Sequence, residues 1–134
     1  MTTAIKRIYE PASRSDGMRI LVDRMWPRGI KKDKAKIDVW LKDVAPSTAL
    51  RRWFGHEPAR WKTFRERYRA ELSKSEALAQ LRDLARTAKR VTLLYSARDE
   101  RHNQAVVLAE VLNNLPRRRK AARAPTGSRR PSSR

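Results

Sequence analysis

The sequence predicts an α/β domain, a small sheet of about four strands covered by helices. Three observations carry that reading. Short β-prone or apolar runs alternate with segments of helical periodicity, the pattern of a layered α/β protein. One such run, Val91-Thr92-Leu93-Leu94-Tyr95, lacks the polar alternation of a half-wet strand and suits a central strand buried on both faces. The chain of 134 residues fits a single compact domain, at roughly 100 to 200 residues each.

Taken in order, Ile5 to Tyr9 is the first β-prone segment, and Arg19 to Asp23 is the second, entered through the turn signal Asp16-Gly17. Only about eight residues join them, fewer than a parallel crossover usually needs, so the pair reads as an antiparallel hairpin and the strand order stays open. Val39 to Ala45 fits strand or helix, and Pro46 ends either. Ser47 is an N-cap for the basic turn that follows. Pro58 suits a first helical turn, after which Trp61, Phe64, Tyr68 and Leu72 recur on one stripe that should pack on the sheet. Ser73 and Glu76 have capping-box spacing and open a helix with Leu78, Leu81, Leu84 and Ala85 inward. A last helix runs from about Asn103 to Asn114. The chain has no internal repeat.

Composition narrows the function classes. There is no cysteine, which excludes a disulfide scaffold, a thiolate nucleophile and a Cys-ligated zinc site. No apolar run approaches the roughly 20 residues that span a bilayer, and Met1 to Arg7 lacks the apolar stretch of a secretory signal, so a cytoplasmic address without membrane partners is expected. Lys and Arg number 33 against 14 Asp and Glu, a formal charge of +19 that attracts polyanions. Residues 116–134 hold seven Arg and one Lys, no acid, and no Val, Ile, Leu or aromatic side chain. They read as a disordered basic tail after an α/β domain at 1–115.

Ligands of open α/β sheets bind beyond the carboxyl ends of the strands. The second strand exits into Asp23-Arg24-Met25-Trp26-Pro27-Arg28-Gly29, where an Arg fork could take a carboxylate or phosphate bidentately. The bland reading pairs Asp23 with an Arg and uses Trp26 as a lid on the core. The strand ending at Tyr95 exits into Ser96-Ala97-Arg98-Asp99-Glu100-Arg101-His102-Asn103 and a helix N-terminus, so Ser96, Arg98 and Asn103 could cradle an anion, with Asp99 beside them. Capping by Asp99 or Asn103 is the commoner use of those residues. Ser47 and Arg51 could also face an anion, although Ser47 needs only its cap. His56 and His102 are the only histidines, too few for a His-rich metal centre without grouped carboxylates, and no metal or cofactor is expected. Asp23 and His102 are the candidates for a general acid or base.

Leu21 to Gly29, Leu41 to Ser47, Leu50 to His56, and Leu93-Leu94-Tyr95 with Asp99, His102 and Asn103 together resemble the YeaO-like family (DUF488), a bacterial domain of unknown function. The resemblance covers roughly residues 4 to 115. It implies a Rossmann-like layered fold and no established reaction. A longer branch of that broad family carries Cys-His-Arg where the final helix opens, and a gapless comparison puts Asn103-Gln104-Ala105 there, which removes any thiol or phosphatase-like chemistry that could be borrowed.

Two functions compete. One is a pocket for a small anionic or phosphate-bearing ligand, built from Arg24, Trp26, Arg28, Ser47, Arg51, Ser96, Arg98, Asp99 and Asn103. The other is non-specific nucleic-acid binding, through the tail and the helix carrying Arg60, Lys62, Arg65, Arg67 and Arg69. A non-catalytic interaction module is a third class that no specific feature supports. The tail buries no apolar surface, so truncation after Leu115 is expected to leave the thermal midpoint nearly unchanged. A loss of several degrees would show that it docks.

Overall fold

A computed structural model describes residues 2–113, and the basic tail at 116–134 lies outside the described residues. Four strands, β1 (Thr2–Arg7), β2 (Met18–Leu21), β3 (Val39–Trp40) and β4 (Arg90–Tyr95), form one sheet in the order β1-β4-β2-β3, with each neighbouring pair parallel. The helices are α1 (Lys32–Ala35), α2 (Thr48–Phe54), α3 (Trp61–Leu72), α4 (Glu76–Ala88) and α5 (Gln104–Asn113). None is long and apolar enough to cross a membrane. As its composition requires, β4 is central, and Val91 to Tyr95 are all buried.

The expected hairpin does not form. β1 and β2 both run parallel to β4 and flank it, paired through Ile5 with Leu93 and Ile20 with Leu93. The strands are short, which relaxes the usual length rule for a crossover. Residues 8–17 reach about 33 Å when extended, enough to return along a strand of about 13 Å and pass two strand spacings of about 5 Å each. A single turn at Arg14–Asp16 fits within that reach.

Two cores lie on opposite faces of the sheet. Ile20, Val22, Val91, Leu93 and Tyr95 pack with side chains from α2 to α5, including Phe64, Tyr68 and Leu72 of the predicted stripe. Full burial of such side chains contributes about 1.5–3 kcal/mol each. Leu21 and Leu94 face the other way, with Ile8, Ala35, Trp26 and Trp40. The helices therefore do not share the two faces evenly: the four longer ones take one face, and α1 with loops closes the other.

Two local expectations are also corrected. Ser75, not Ser73, caps α4: its Oγ accepts from Leu78 N–H at 3.1 Å. Ser73 is still helical (φ −60°, ψ −20°) at the end of α3, whereas Ser75 is extended (φ −92°, ψ 123°), as a cap must be. Val39 to Ala45 divides between both readings, β3 followed by a tight turn at Lys42–Val44, and Ala45 is extended ahead of Pro46.

A charged network lies beneath the thinner face. Asp16 accepts from Arg19 at 2.6 Å, from Lys6 at 2.8 Å and from Ser13 N–H at 2.9 Å. Arg19 also donates Nη2 to the Ala35 carbonyl and Nε to the Lys36 carbonyl, and Thr92 Oγ1 donates to the Asp16 carbonyl. Next to it, Gly17 has φ 65°, and a Cβ there would sit 2.3 Å from the Arg90 carbonyl oxygen. Burial alone would raise the Asp16 pKa, but hydrogen bonds from Lys6, Ser13 and Arg19 outweigh it and hold the carboxyl at about 2. A depressed carboxyl stabilises the fold above its ordinary value of 3.8 and loses that contribution as pH falls toward about 2. Asp16→Ala is expected to cost about 3–5 kcal/mol near neutrality by stranding Arg19. In urea melts at stepped pH, the gap between variant and wild type should narrow below pH 3.8.

Candidate functional site

Because β2 and β4 run the same way, the loops that follow them leave at the same edge. A cleft of about 600 Å³ opens there, lined by Asp23 to Arg28 on one side and by Ser96 to Asp99 with His102 to Gln104 on the other. Ala45, Pro46, Arg51, Phe54, His56 and Phe64 complete it. Behind it, Phe54 stacks on Phe64 with centroids 4.4 Å apart, and His102 meets Trp61 edge-on at 5.2 Å. These aromatic contacts tie α2 and α3 to the loop before α5.

Asp23 joins the two loops. Its Oδ2 accepts from Ser96 N–H at 3.1 Å, its Oδ1 accepts from the Gln104 amide, and its carbonyl accepts from Trp40 Nε1 at 2.7 Å. Burial raises its pKa, opposed in part by the hydrogen bonds from Ser96 and Gln104. The expected Asp23–Arg contact is absent among the described residues. Arg24 instead donates to the Ala45 and Pro46 carbonyls at 3.2–3.4 Å, and its closest approach to a carboxylate is 3.9 Å, to Asp43. The backbone amide and Gln104 already satisfy Asp23, so no guanidinium is needed.

The loop before α5 is held from within. Asp99 accepts from the backbone amides of Arg101 and His102 and from His102 Nδ1 at 2.8 Å. Hydrogen bonding from His102 holds its carboxyl below the usual range. Asn103, buried, caps α5 through Oδ1 to Val106 N–H and donates Nδ2 to the Asp99 carbonyl. Arg7 reaches over from β1 to the Ser96 and Ala97 carbonyls. Asn103 thus caps the helix, the commoner use of that residue, while Asp99 closes the turn before it rather than capping it.

Of the residues singled out from sequence, all but Ser47 line the cleft. Ser47 caps α2 by accepting from Leu50 N–H and donates Oγ to Glu71 of α3 at 2.6 Å. Trp26 lines the cleft with its indole N–H already given to the Ile30 carbonyl at 2.7 Å. Arg28, Arg51 and Arg98 are exposed and make no side-chain hydrogen bond or ion pair among the described residues.

A family model described as "Inactive DUF488-N3 subclade" matches residues 2–132. The chain belongs to the DUF488 family. It is 49% identical over 116 residues to the uncharacterised protein YeaO of Escherichia coli, covering 86% of this chain and all of that protein. It is 46% identical over 109 residues to an uncharacterised protein of Mycobacterium tuberculosis, covering 81% of this chain and 92% of the relative. A Mycobacterium bovis protein matches to the same extent. No solved structure matches.

In this DUF488 chain, Gln104, His56 and the Phe54–Phe64 stack are cleft residues that sequence reasoning did not assign to the site. Gln104 follows a residue already read as a helix cap, and nothing local links it to Asp23, 81 positions away. Phe64 reads simply as part of the stripe that packs on the sheet. Because both Asp23 oxygens face N–H donors, Asp23→Asn turns an NH2 group toward one of them. The substitution is expected to lower stability by about 1–3 kcal/mol in chemical denaturation. No loss would mean that the clamp does not hold the loops.

Proposed function

We propose that this chain is a non-covalent binding protein for a small anionic or phosphate-bearing ligand, held in the cleft at the carboxyl edge of a Rossmann-like sheet. One observation carries the reading: Arg28, Arg51 and Arg98 surround the cleft with no carboxylate partner among the described residues. The two acids that line it, Asp23 and Asp99, are already satisfied by hydrogen bonds within the two loops. Guanidiniums left free on a rigid frame suit bidentate recognition of a tetrahedral or planar oxyanion. The family description of an inactive subclade, and Asn103-Gln104-Ala105 at the helix opening, support binding without covalent chemistry. On this reading Asp23 is a strut rather than an acid or base, and His102 keeps Nε2 for a ligand contact while Asp99 holds Nδ1.

The nucleic-acid alternative draws less support from α3 than its charge suggests. Arg65 and Arg69 are paired with Glu110, and Arg60 and Arg67 lie over the Trp53 ring at 5.5 and 4.5 Å. Glu110 offsets part of this charge, and of the five cations only Lys62 makes no such contact among the described residues.

Titration calorimetry with inorganic phosphate and pyrophosphate tests the pocket. Arg28→Ala, Arg51→Ala and Arg98→Ala are each expected to weaken binding roughly ten-fold, as for one charge-assisted contact of about 1.5 kcal/mol, with unchanged thermal midpoints. Binding as tight as wild type in all three variants would remove the proposal.

A further inference from the structure

Resting on that anion reading, the cleft also carries information about the rest of the ligand. An inorganic oxyanion would leave most of it unused. A space of about 600 Å³ falls in the range of roughly 300–1,000 Å³ typical of sites for organic ligands. Much of the lining offers no hydrogen bond: Pro27, Pro46, Ala97 and Phe54 are apolar there. The Trp26 indole N–H and the Arg24 guanidinium, which could have served an anion, are bound to backbone carbonyls.

Met25 gives the independent observation. It is 67% exposed, one of two large hydrophobic side chains left in water among the described residues, and it lines this cleft. Its neighbours in the loop are fixed on both sides, Arg24 by the Ala45 and Pro46 carbonyls and Trp26 by Ile30 and by its edge-on contact with Trp40 at 5.4 Å. The loop therefore presents an unbranched thioether side chain to solvent beside three free guanidiniums. Met adapts its shape to flat apolar surfaces and makes favourable contacts with aromatic rings.

We infer that the ligand is an organic phosphate of nucleotide size, with a flat apolar or aromatic body covered by Met25 and a phosphate held by Arg28, Arg51 and Arg98. Phosphate suits the site better than a carboxylate because it offers more oxygens and up to two negative charges to three guanidiniums. The apolar body supplies what Met25, the most exposed apolar side chain of the lining, can bury.

The test is titration of the full chain with inorganic phosphate, phenyl phosphate, adenosine monophosphate and adenosine, in wild type and in Met25→Ala. Both organic phosphates should bind at least about ten-fold tighter than inorganic phosphate, the gain from burying about 1.4 kcal/mol of apolar contact. Met25→Ala should weaken the organic phosphates about three- to ten-fold, leave inorganic phosphate unchanged and leave the thermal midpoint unchanged, since Met25 is exposed. Inorganic phosphate binding as tightly as both organic phosphates, or organic phosphates indifferent to Met25→Ala, overturns this inference and leaves the anion site standing. Failure of all three phosphates to bind, or adenosine binding as tightly as its monophosphate, overturns the anion reading and this inference with it.

Discussion

The architecture of the cleft depends on one buried carboxylate. Asp23 ends the run of chain that leaves β2 and takes hydrogen bonds from the loop after β4 and from the first turn of α5, while its own carbonyl holds the Trp40 indole of β3. Three segments distant in sequence are thereby held at one edge of the sheet. A hydrogen bond to a charged group in a partly desolvated site is stronger than a neutral one, which suits it to this role. With the loops fixed in this way, the arginines at the mouth need not serve the fold.

The two faces of the sheet solve different problems. The helical face is an apolar core whose aromatic column of Tyr68, Phe64 and Trp61 runs up to His102 at the cleft. The opposite face has too little helix to be closed by apolar contacts alone. There the chain uses Asp16, bridging Lys6 and Arg19, and a Thr92 hydroxyl that satisfies the Asp16 carbonyl. Such a network is tolerable because its donors and acceptors have partners.

Much of this was legible in the sequence, for identifiable reasons. The central strand declared itself through Val91 to Tyr95, α3 through its stripe, and the cleft through the rule that parallel strands deliver their loops to one edge. The β1–β2 relation was not legible, because a link length near the crossover limit does not reveal that β4 will lie between them. Ser73 and Ser75 both precede α4 closely, and only backbone conformation separates the cap from the end of the previous helix. The Asp23 partner was misassigned because charge invites an arginine, whereas an amide and a backbone N–H filled the place.

The strand order has a consequence for how the chain acquires its shape. β2 and β3 can pair as soon as both exist, but β1 has β4 as its sheet neighbour, nearly ninety residues later. During synthesis the first strand must wait, unpaired, until Arg90 to Tyr95 emerge and slot between it and β2. Closing loops of that length before the contacts reward it raises the contact order and slows folding. It also means that completion of the sheet and assembly of the cleft are a single late event, since the strand that fills the slot is the one that delivers Ser96 to Asp23.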